Sequence, residues 1–242
     1  MKLFKTSILA AILLTILSIA ACKKAGVSPA TSQVSFQLQA DNSAITLASV
    51  PGGRLTTNSV TASIAGLTWT SGVANISRFK FEAKKQGVET EVVSKNLGNV
   101  DLFSLSPLVA SITVDSGTYK EVEIRVDLQH STTDSVPLKL KGTFTNSGGA
   151  VIPIEFDLND DATIKAEAHD VVISGTTDFS GLVHMHLNKL AAGVTGADLE
   201  AATLTNGAII ISKTSNVSIY NKILSNLTTC GDSEFKDKHH KG

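Results

Sequence analysis

The sequence predicts a mainly β protein, an antiparallel β-sandwich with a small helical appendage at its C-terminal end. The first observation is a period-two alternation rich in β-branched residues, which is typical of strands that bury one face. In TYKEVEIRVDLQ, for example, Val122, Ile124, Val126 and Leu128 alternate with charged residues. The second observation is that such strands are short and separated by Gly, Asn and Ser turns, which favours an antiparallel sandwich. Residues 34–185 are therefore assigned to the sandwich domain.

The other predicted strands repeat this pattern along the domain. ISRFKFEAKK places Phe79, Phe81 and Ala83 on one face, and the chain then turns at Gln86–Gly87 to form a hairpin. Further strands are predicted at residues 34–40, 60–69, 99–105, 109–114, 137–145, 150–157 and 162–167.

The sequence changes in character after about residue 185. LNKLAAGVTGADLEAATLTNG is rich in helix formers, and Thr195 or Gly196 opens a short helix. NGAIIIS has the continuous apolar run of a buried strand. We expect residues 186–230 to form an α/β segment that packs on the sandwich.

The end of that segment has helical periodicity. SNVSIYNKILSNLTTC repeats apolar residues at offsets of three and four, which predicts an amphipathic helix capped by Ser215 or Asn216. Residues 231–242 are charged and have no pattern, so we expect a disordered tail. The predicted inward side chains of the helix are Val217, Tyr220, Ile223, Leu224 and Leu227.

The N-terminal segment has the parts of a secretion signal in their usual order. Lys2 and Lys5 precede an uncharged, apolar run, and the run ends in the small residues Ala20 and Ala21 before Cys22. The run is shorter than the roughly 20 residues that a membrane span needs. The segment resembles the lipobox signal of bacterial lipoproteins. This resemblance implies cleavage before Cys22 and acyl chains on it, which anchor the protein to a membrane.

The predicted cleavage sets the organisation and charge of the mature chain. Residues 1–21 are the signal, and residues 22–33 are the lipidated Cys and a tether. By analogy with lipoprotein sorting, the absence of Asp after Cys22 indicates the outer membrane, on its periplasmic or its surface side. Loss of two lysines moves the formal charge from −1 to −3, which excludes a basic surface for nucleic acid. Cys230 then has no disulfide partner, and we interpret it as a small buried hydrophobe.

The middle of the chain, about residues 60–168, is similar to a domain of unknown function common in lipoproteins of Bacteroidota. The similar motifs are Val100-Asp101-Leu102, Gly117-Thr118-Tyr119 leading into Glu123-Ile124-Arg125-Val126, and Glu155-Phe156-Asp157. The third motif reads EFD, where the family has DFD. The resemblance implies a β-sandwich of the prealbumin or immunoglobulin-like kind and implies no activity.

Two groups of residues are candidate metal ligands. His184 and His186 are two apart on a predicted strand, so both imidazoles face one side, although a third ligand is not visible nearby. DLNDDATIK offers dense oxygen ligands for calcium, but it lacks the Gly and the distal Glu of an EF-hand. Because Asn and Asp also favour β-turns, we prefer a turn there and expect no cofactor. The oxygen ligands are those of Asp157, Asn159, Asp160 and Asp161.

The sequence predicts the function of the protein less directly than its fold. The sequence contains no phosphate loop, nucleophile elbow, zinc-protease helix or dinucleotide fingerprint, so we expect a non-enzymatic binding or structural module. One alternative is a surface glycan-binding lipoprotein that stacks sugars on Trp69, although aromatic residues are few. A second is a fimbrial-type subunit matured by cleavage at Arg54, in the loop ASVPGGRLTTNS, and completed by a donor strand. The expected partners are the membrane, through Cys22, and another envelope protein or a glycan.

Overall fold

The computed structural model shows a mainly β chain, as the sequence predicts. It describes residues 30–41, 44–47, 65–105, 108–131, 136–175 and 178–237. From Thr31 onward these residues belong to one compact unit. Among them, no helix combines the length and the apolar character needed to cross a membrane.

The described residues form thirteen strands and three α-helices. The strands are β1 (Thr31–Ala40), β2 (Ile45–Thr46), β3 (Gly66–Lys85), β4 (Val88–Asp101), β5 (Leu108–Asp115), β6 (Gly117–Leu128), β7 (Leu138–Thr145), β8 (Val151–Leu158), β9 (Ala162–Ile173), β10 (Phe179–Met185), β11 (Leu204–Thr205), β12 (Ala208–Ile211) and β13 (Gly231–Asp237). The helices are α1 (Leu187–Leu190), α2 (Gly196–Glu200) and α3 (Val217–Asn226), and a 3-10 turn follows at Leu227–Thr229.

The smaller sheet combines the first and last strands of the described chain, in the order β13-β10-β1-β5. β1 is an inner strand, parallel to β10 and antiparallel to β5. Its alternation buries Val34, Phe36 and Leu38 completely. β13 pairs antiparallel with β10 and forms one edge of the sheet.

The larger sheet has nine strands and is organised around β3. β3 is 20 residues long and joins the strand predicted at 76–85 to the described part of the one predicted at 60–69. Its first half pairs with β7 and its second half with β6, while β4 pairs with Val73–Lys85 along the opposite edge and β2 pairs with the start of β3. Register shifts at Trp69/Ser71 and Ile76/Arg78 interrupt these ladders, as β-bulges do when they bend a strand.

Between the two sheets lies one hydrophobic core. Phe36 of the smaller sheet packs against Phe79 and Phe81 of the larger sheet, with ring centroids 4.8 and 5.7 Å apart. The face predicted for ISRFKFEAKK is therefore the core face. The hairpin after it turns at Gln86 and Gly87, whose φ angles of 49° and 81° suit the tight turn that the sequence predicts.

Residues 186–230 extend the larger sheet as well as packing on the core, so they are more than a helical appendage. β12 adds to the larger sheet parallel to β8, and the core includes Ile219, Tyr220 and Ile223 of α3. Val217 was predicted to face inward but is 44% exposed at the start of the helix. Ile219 lies inward in its place, since the buried face is set by contact with the sheet.

Two further predictions about elements are wrong. The strand predicted at 99–105 belongs to β4, which ends at Asp101. The predicted disordered tail contains β13, because β10 has an open edge that this segment pairs with. Phe235 anchors the strand by packing edge-on against Phe36, with ring centroids 6.0 Å apart. Residues 238–242 of the tail lie outside the described residues.

Candidate functional site

The predicted histidine pair lies at the end of β10, where three segments meet. Backbone bonds fix the junction: Asp41 N–H donates to the carbonyl of Met185, and His186 N–H donates to that of Cys230, at 3.1 and 2.8 Å. Asp41 also accepts a bond from Leu187 N–H at 2.9 Å, at the start of α1. The end of β1, the end of β10 and the start of β13 are thereby held together.

His186 is bound by a carboxylate on each side of its ring. Nδ1 lies 3.0 Å from Asp41 Oδ2, and Nε2 lies 2.5 Å from Asp232 Oδ2. The hydrogen bond to Asp232 raises the pKa of His186, burial opposes this, and Asp41 raises the pKa further. Because both ring nitrogens donate to carboxylates only when the ring is protonated, the geometry favours an imidazolium that clamps the two strands.

His184 shares a face with His186, as residues two apart on a strand should. Their rings are 6.2 Å apart and nearly parallel, and His184 Nε2 lies 4.0 Å from Glu234 Oε2. The structure does not bring the two candidate metal ligands together on a shared position, since both nitrogens of His186 face carboxylates. The described residues contain no group of three or more His, Cys, Asp or Glu side chains placed to hold a metal ion.

The oxygen-rich segment after β8 forms a turn whose side chains diverge. Asn159 bonds both backbone groups of Ser131, at 2.9 and 3.1 Å, and Asp161 accepts a bond from the backbone N–H of His130 at 2.7 Å. Asp157 lies on β8 with Lys139, 3.0 Å away. The chain bends at Asp160 between β8 and β9, and the four side chains do not converge as a calcium site requires.

Asp160 in this turn ties the loop to the C-terminal helix. Its Oδ2 accepts a hydrogen bond from the Tyr220 hydroxyl at 2.6 Å, and its Oδ1 pairs with Lys213. Lys213 lowers the pKa of Asp160, and the Tyr220 bond adds to this. Burial, and then the Asp160 carboxylate, raise the pKa of Tyr220. The phenol is therefore a fixed neutral donor.

Trp69 lies in the core, at 2% exposure, so its ring is not available to stack on a sugar. The alternative in which Trp69 stacks on a sugar therefore has no support from its position. Every other aromatic side chain that the structure describes is buried or half-buried as well. Sequence cannot separate the two cases, because an alternating strand presents Trp to the core or to solvent according to its register.

The outer face of the larger sheet carries charges in register across four strands. One line, here called the acidic row, has a glutamate on each of β4, β3, β6 and β9. The next line, the basic row, has a cation on each of β3, β6 and β9. The acidic row is Glu91, Glu82, Glu123 and Glu167, and the basic row is Lys80, Arg125 and Lys165.

The basic row neutralises the acidic row. Like charges directly opposite on neighbouring strands are destabilising. Lys80 lies 2.8 and 2.9 Å from Glu82 and Glu91, and Lys165 lies 2.6 Å from Glu123. Burial alone would raise the pKa of Glu123, but hydrogen bonds from Lys165 and Arg125 hold it below its usual value. An open depression of about 400 Å³ lies over this charged face.

The remaining predicted residues are two cysteines and one arginine. Cys230 is fully buried, as interpreted, and burial raises the pKa of its thiol to about 12, so the thiol is unreactive at neutral pH. Cys22 and Arg54 lie outside the described residues.

Sequence reasoning missed the two carboxylates of the His186 junction and the acidic row. Asp41 is 145 positions from His186, and Asp232 is 46 positions from it. The alternation of Glu123 and Arg125 is visible in the sequence, but their neighbours on other strands depend on strand order and register.

Comparison with protein-family models, with curated proteins and with solved structures finds no match in any of the three. The resemblances to lipoproteins and to the domain of unknown function therefore stay predictions.

Proposed function

We propose that the chain is a lipid-anchored protein of the bacterial cell envelope, held at the outer membrane. Its β-domain acts as a non-enzymatic binding or structural module. The lipobox that ends at Cys22 supports the anchor. β1 begins at Thr31, so residues 31–33, predicted as the end of the tether, belong to a strand instead.

The proposed architecture of the module is a β-sandwich of the prealbumin or immunoglobulin-like kind. Its support is the contact of Phe36 on the smaller sheet with Phe79 and Phe81 on the larger one. Two sheets that share a core in this way leave their outer faces free for partners.

The proposal of a binding or structural module rests mainly on the charged outer face of the larger sheet. On this face, Lys165 and Arg125 bind Glu123 and lower its pKa, which keeps the carboxylate ionised. An open face of paired charges suits recognition of another polar surface, such as an envelope protein.

The anchor is tested by the Cys22→Ala variant with Cys230→Ala as its matched control. We expect Cys22→Ala to lose incorporation of a labelled fatty acid and to leave the membrane fraction. Cys230→Ala should keep both, because that thiol is buried. Label retained in Cys22→Ala, with unchanged membrane fractionation, would refute the anchor.

The position of β1 favours the fimbrial-type subunit as a second candidate. β1 is the inner strand between β10 and β5, and it precedes Arg54 in the chain. Cleavage after Arg54 would remove β1 and β2 together and open a groove for a donor strand between β10 and β5.

Mass spectrometry of the protein in its native envelope separates the two candidates. A fimbrial-type subunit should have an N-terminus just after Arg54 in its assembled form. An assembled protein that still carries the lipidated peptide from Cys22 through Arg54 would contradict the second candidate and agree with the first.

A further inference from the structure

The outer edge of β4 is unpaired in the part of the chain that the structure describes. β4 pairs with β3 from Val88 to Asp101 and with no other described strand. On its far side, alternate N–H and C=O groups therefore face away from the sheet. Such an edge is a template for another strand. Val88 and Val93 on this strand are 67% and 39% exposed.

The side chains of β4 are complementary to β4 itself. Glu91, Val93 and Lys95 are exposed and spaced by two, so they share the outer face. Glu91 and Lys95 stand at equal distances from Val93 in the chain and have opposite charges. An antiparallel copy of the strand, centred on Val93, places Glu91 opposite Lys95 twice, as a twofold axis requires.

We propose that two copies of this chain associate edge to edge through β4, antiparallel, with Val93 facing Val93 and Glu91 facing Lys95 of the other copy. The two larger sheets then join into one continuous sheet. The interface depends on β4 alone and does not depend on the lipid anchor or on the proposed function.

Charges inside one copy leave room for this pairing. Lys95 has no ion-pair partner among the described residues, and the residue beside it on β3 is Arg78, a like charge. Glu91 lies 2.9 Å from Lys80, yet its side chain remains 50% exposed. Lys95 of the other copy extends the line of the acidic row with a cation, which relieves repulsion among its glutamates.

The contact is small, so the association is weak. Interfaces at the low end of the size range are typically transient, with dissociation constants of about micromolar or higher. A concentration-dependent equilibrium between one and two copies is therefore expected for the full chain in detergent, measured by sedimentation equilibrium.

Disulfide trapping tests the register. Opposed residues of an antiparallel pair have Cα atoms about 4.5–5.5 Å apart, within reach of a disulfide. Under mild oxidation, Val93→Cys in the full-length chain should give a covalent dimer. Val88→Cys, which is exposed on the same strand but faces Gly98 in this register, should not, and the unmodified chain sets the background.

Charge reversal tests the proposed ion pairs. Glu91→Lys or Lys95→Glu alone should weaken dimerisation at least tenfold, because each places like charges opposite one another. The double variant Glu91→Lys/Lys95→Glu should restore it. Glu89→Lys is the matched control and should leave the dimer unchanged, since Glu89 faces Leu97 in this register.

Three results would overturn the proposal. The first is a chain that stays monomeric at all concentrations, with Val93→Cys trapped no faster than Val88→Cys. The second is a dimer that is insensitive to both single charge reversals. The third is trapping through Val92→Cys together with a loss of dimer in Glu89→Lys, which indicates a different register.

Discussion

At the scale of single residues, Gly181 of β10 shows how closely the smaller sheet fits its core. A Cβ at this position would lie 2.5 and 2.6 Å from ring atoms of Phe36. That ring is fully buried against Phe79 and Phe81, so it has no space to move. Only glycine therefore fits at position 181, where β10 passes over this ring.

Gly181→Ala should destabilise the protein by about 1–3 kcal/mol, because overpacking forces the ring or the strand to shift. Gly148→Ala is the control, since its nearest neighbour, Asn146 Oδ1, is 3.4 Å away in an exposed turn. We expect that control to change stability by about 0.5 kcal/mol or less. Urea unfolding measures both, and equal effects would contradict the close fit.

His186 makes stability depend on pH. Asp232, together with Asp41, raises the pKa of His186 in the folded protein. The stabilisation is therefore complete below the unfolded pKa of about 6.5 and is lost as the pH rises through the folded pKa. His186→Gln should cost about 1–2 kcal/mol at pH 5 and clearly less at pH 9.

The control for this prediction is His184→Gln. His184 is 4.0 Å from Glu234, so its replacement should change the unfolding free energy little at either pH. Urea unfolding at pH 5 and pH 9 gives the comparison. An equal cost of His186→Gln at both pH values would show that the carboxylates do not hold an imidazolium.

The histidine junction also shows what could be predicted from the sequence about single residues and what could not. That His184 and His186 share a face follows from the period of a strand. The carboxylates that bind His186 come from the end of β1 and the start of β13, and local pattern contains no information about which distant strands are neighbours. The divergent bonds of Asp157, Asn159, Asp160 and Asp161 agree with the turn interpretation, which rests on local chemistry alone.

At the scale of elements, Asn216 lies at the predicted cap position of α3, but its side chain does not cap the helix. It precedes α3 with φ 51° and ψ 46°, and its side chain makes no capping bond to the helix. Instead its amide bonds both backbone groups of Thr203, at 2.9 and 3.0 Å, and the carbonyl of Ile210 at 2.8 Å. The residue therefore joins α3 to the hairpin of β11 and β12.

Asn216→Ala should cost about 2–4 kcal/mol, because it removes three hydrogen bonds and places Ala in the left-handed region. Asn216→Gly keeps the conformation and loses only the bonds, so it should be less destabilising by about 1 kcal/mol. Thermal or urea unfolding compares them. Equal stabilities of the two variants would exclude backbone conformation as part of the effect.

Elements with a strong internal pattern were predicted well, and those defined by their partners were not. The alternation of β6 and the apolar run of β12 are visible because each strand buries a face. β13 reads GDSEFKD, with Phe235 as its one large apolar residue, so its charges suggested disorder. Its strand structure comes from the open edge of β10 and from the Phe36 ring.

At the scale of the whole molecule, the C-terminal strand completes the smaller sheet. Removal of residues 231–242 deletes β13, and with it the Phe235 contact and the Asp232 bond to His186. We expect a loss of about 3 kcal/mol or more, equivalent to roughly 10 °C in melting temperature. Removal of residues 238–242 alone is the control and should leave the melting temperature nearly unchanged. Equal melting temperatures would contradict the role of β13.

The position of β1 has a consequence for how the chain folds. β1 begins near residue 31, and its parallel partner β10 begins at Phe179, so the first described strand lacks that neighbour until most of the chain has been made. Folding rates fall as contacting residues become more distant in sequence, because loop closure precedes the gain from contact. The larger sheet contains the local hairpins β3–β4 and β7–β8, so we expect it to form early. We expect the smaller sheet to close last, because it needs both β10 and β13.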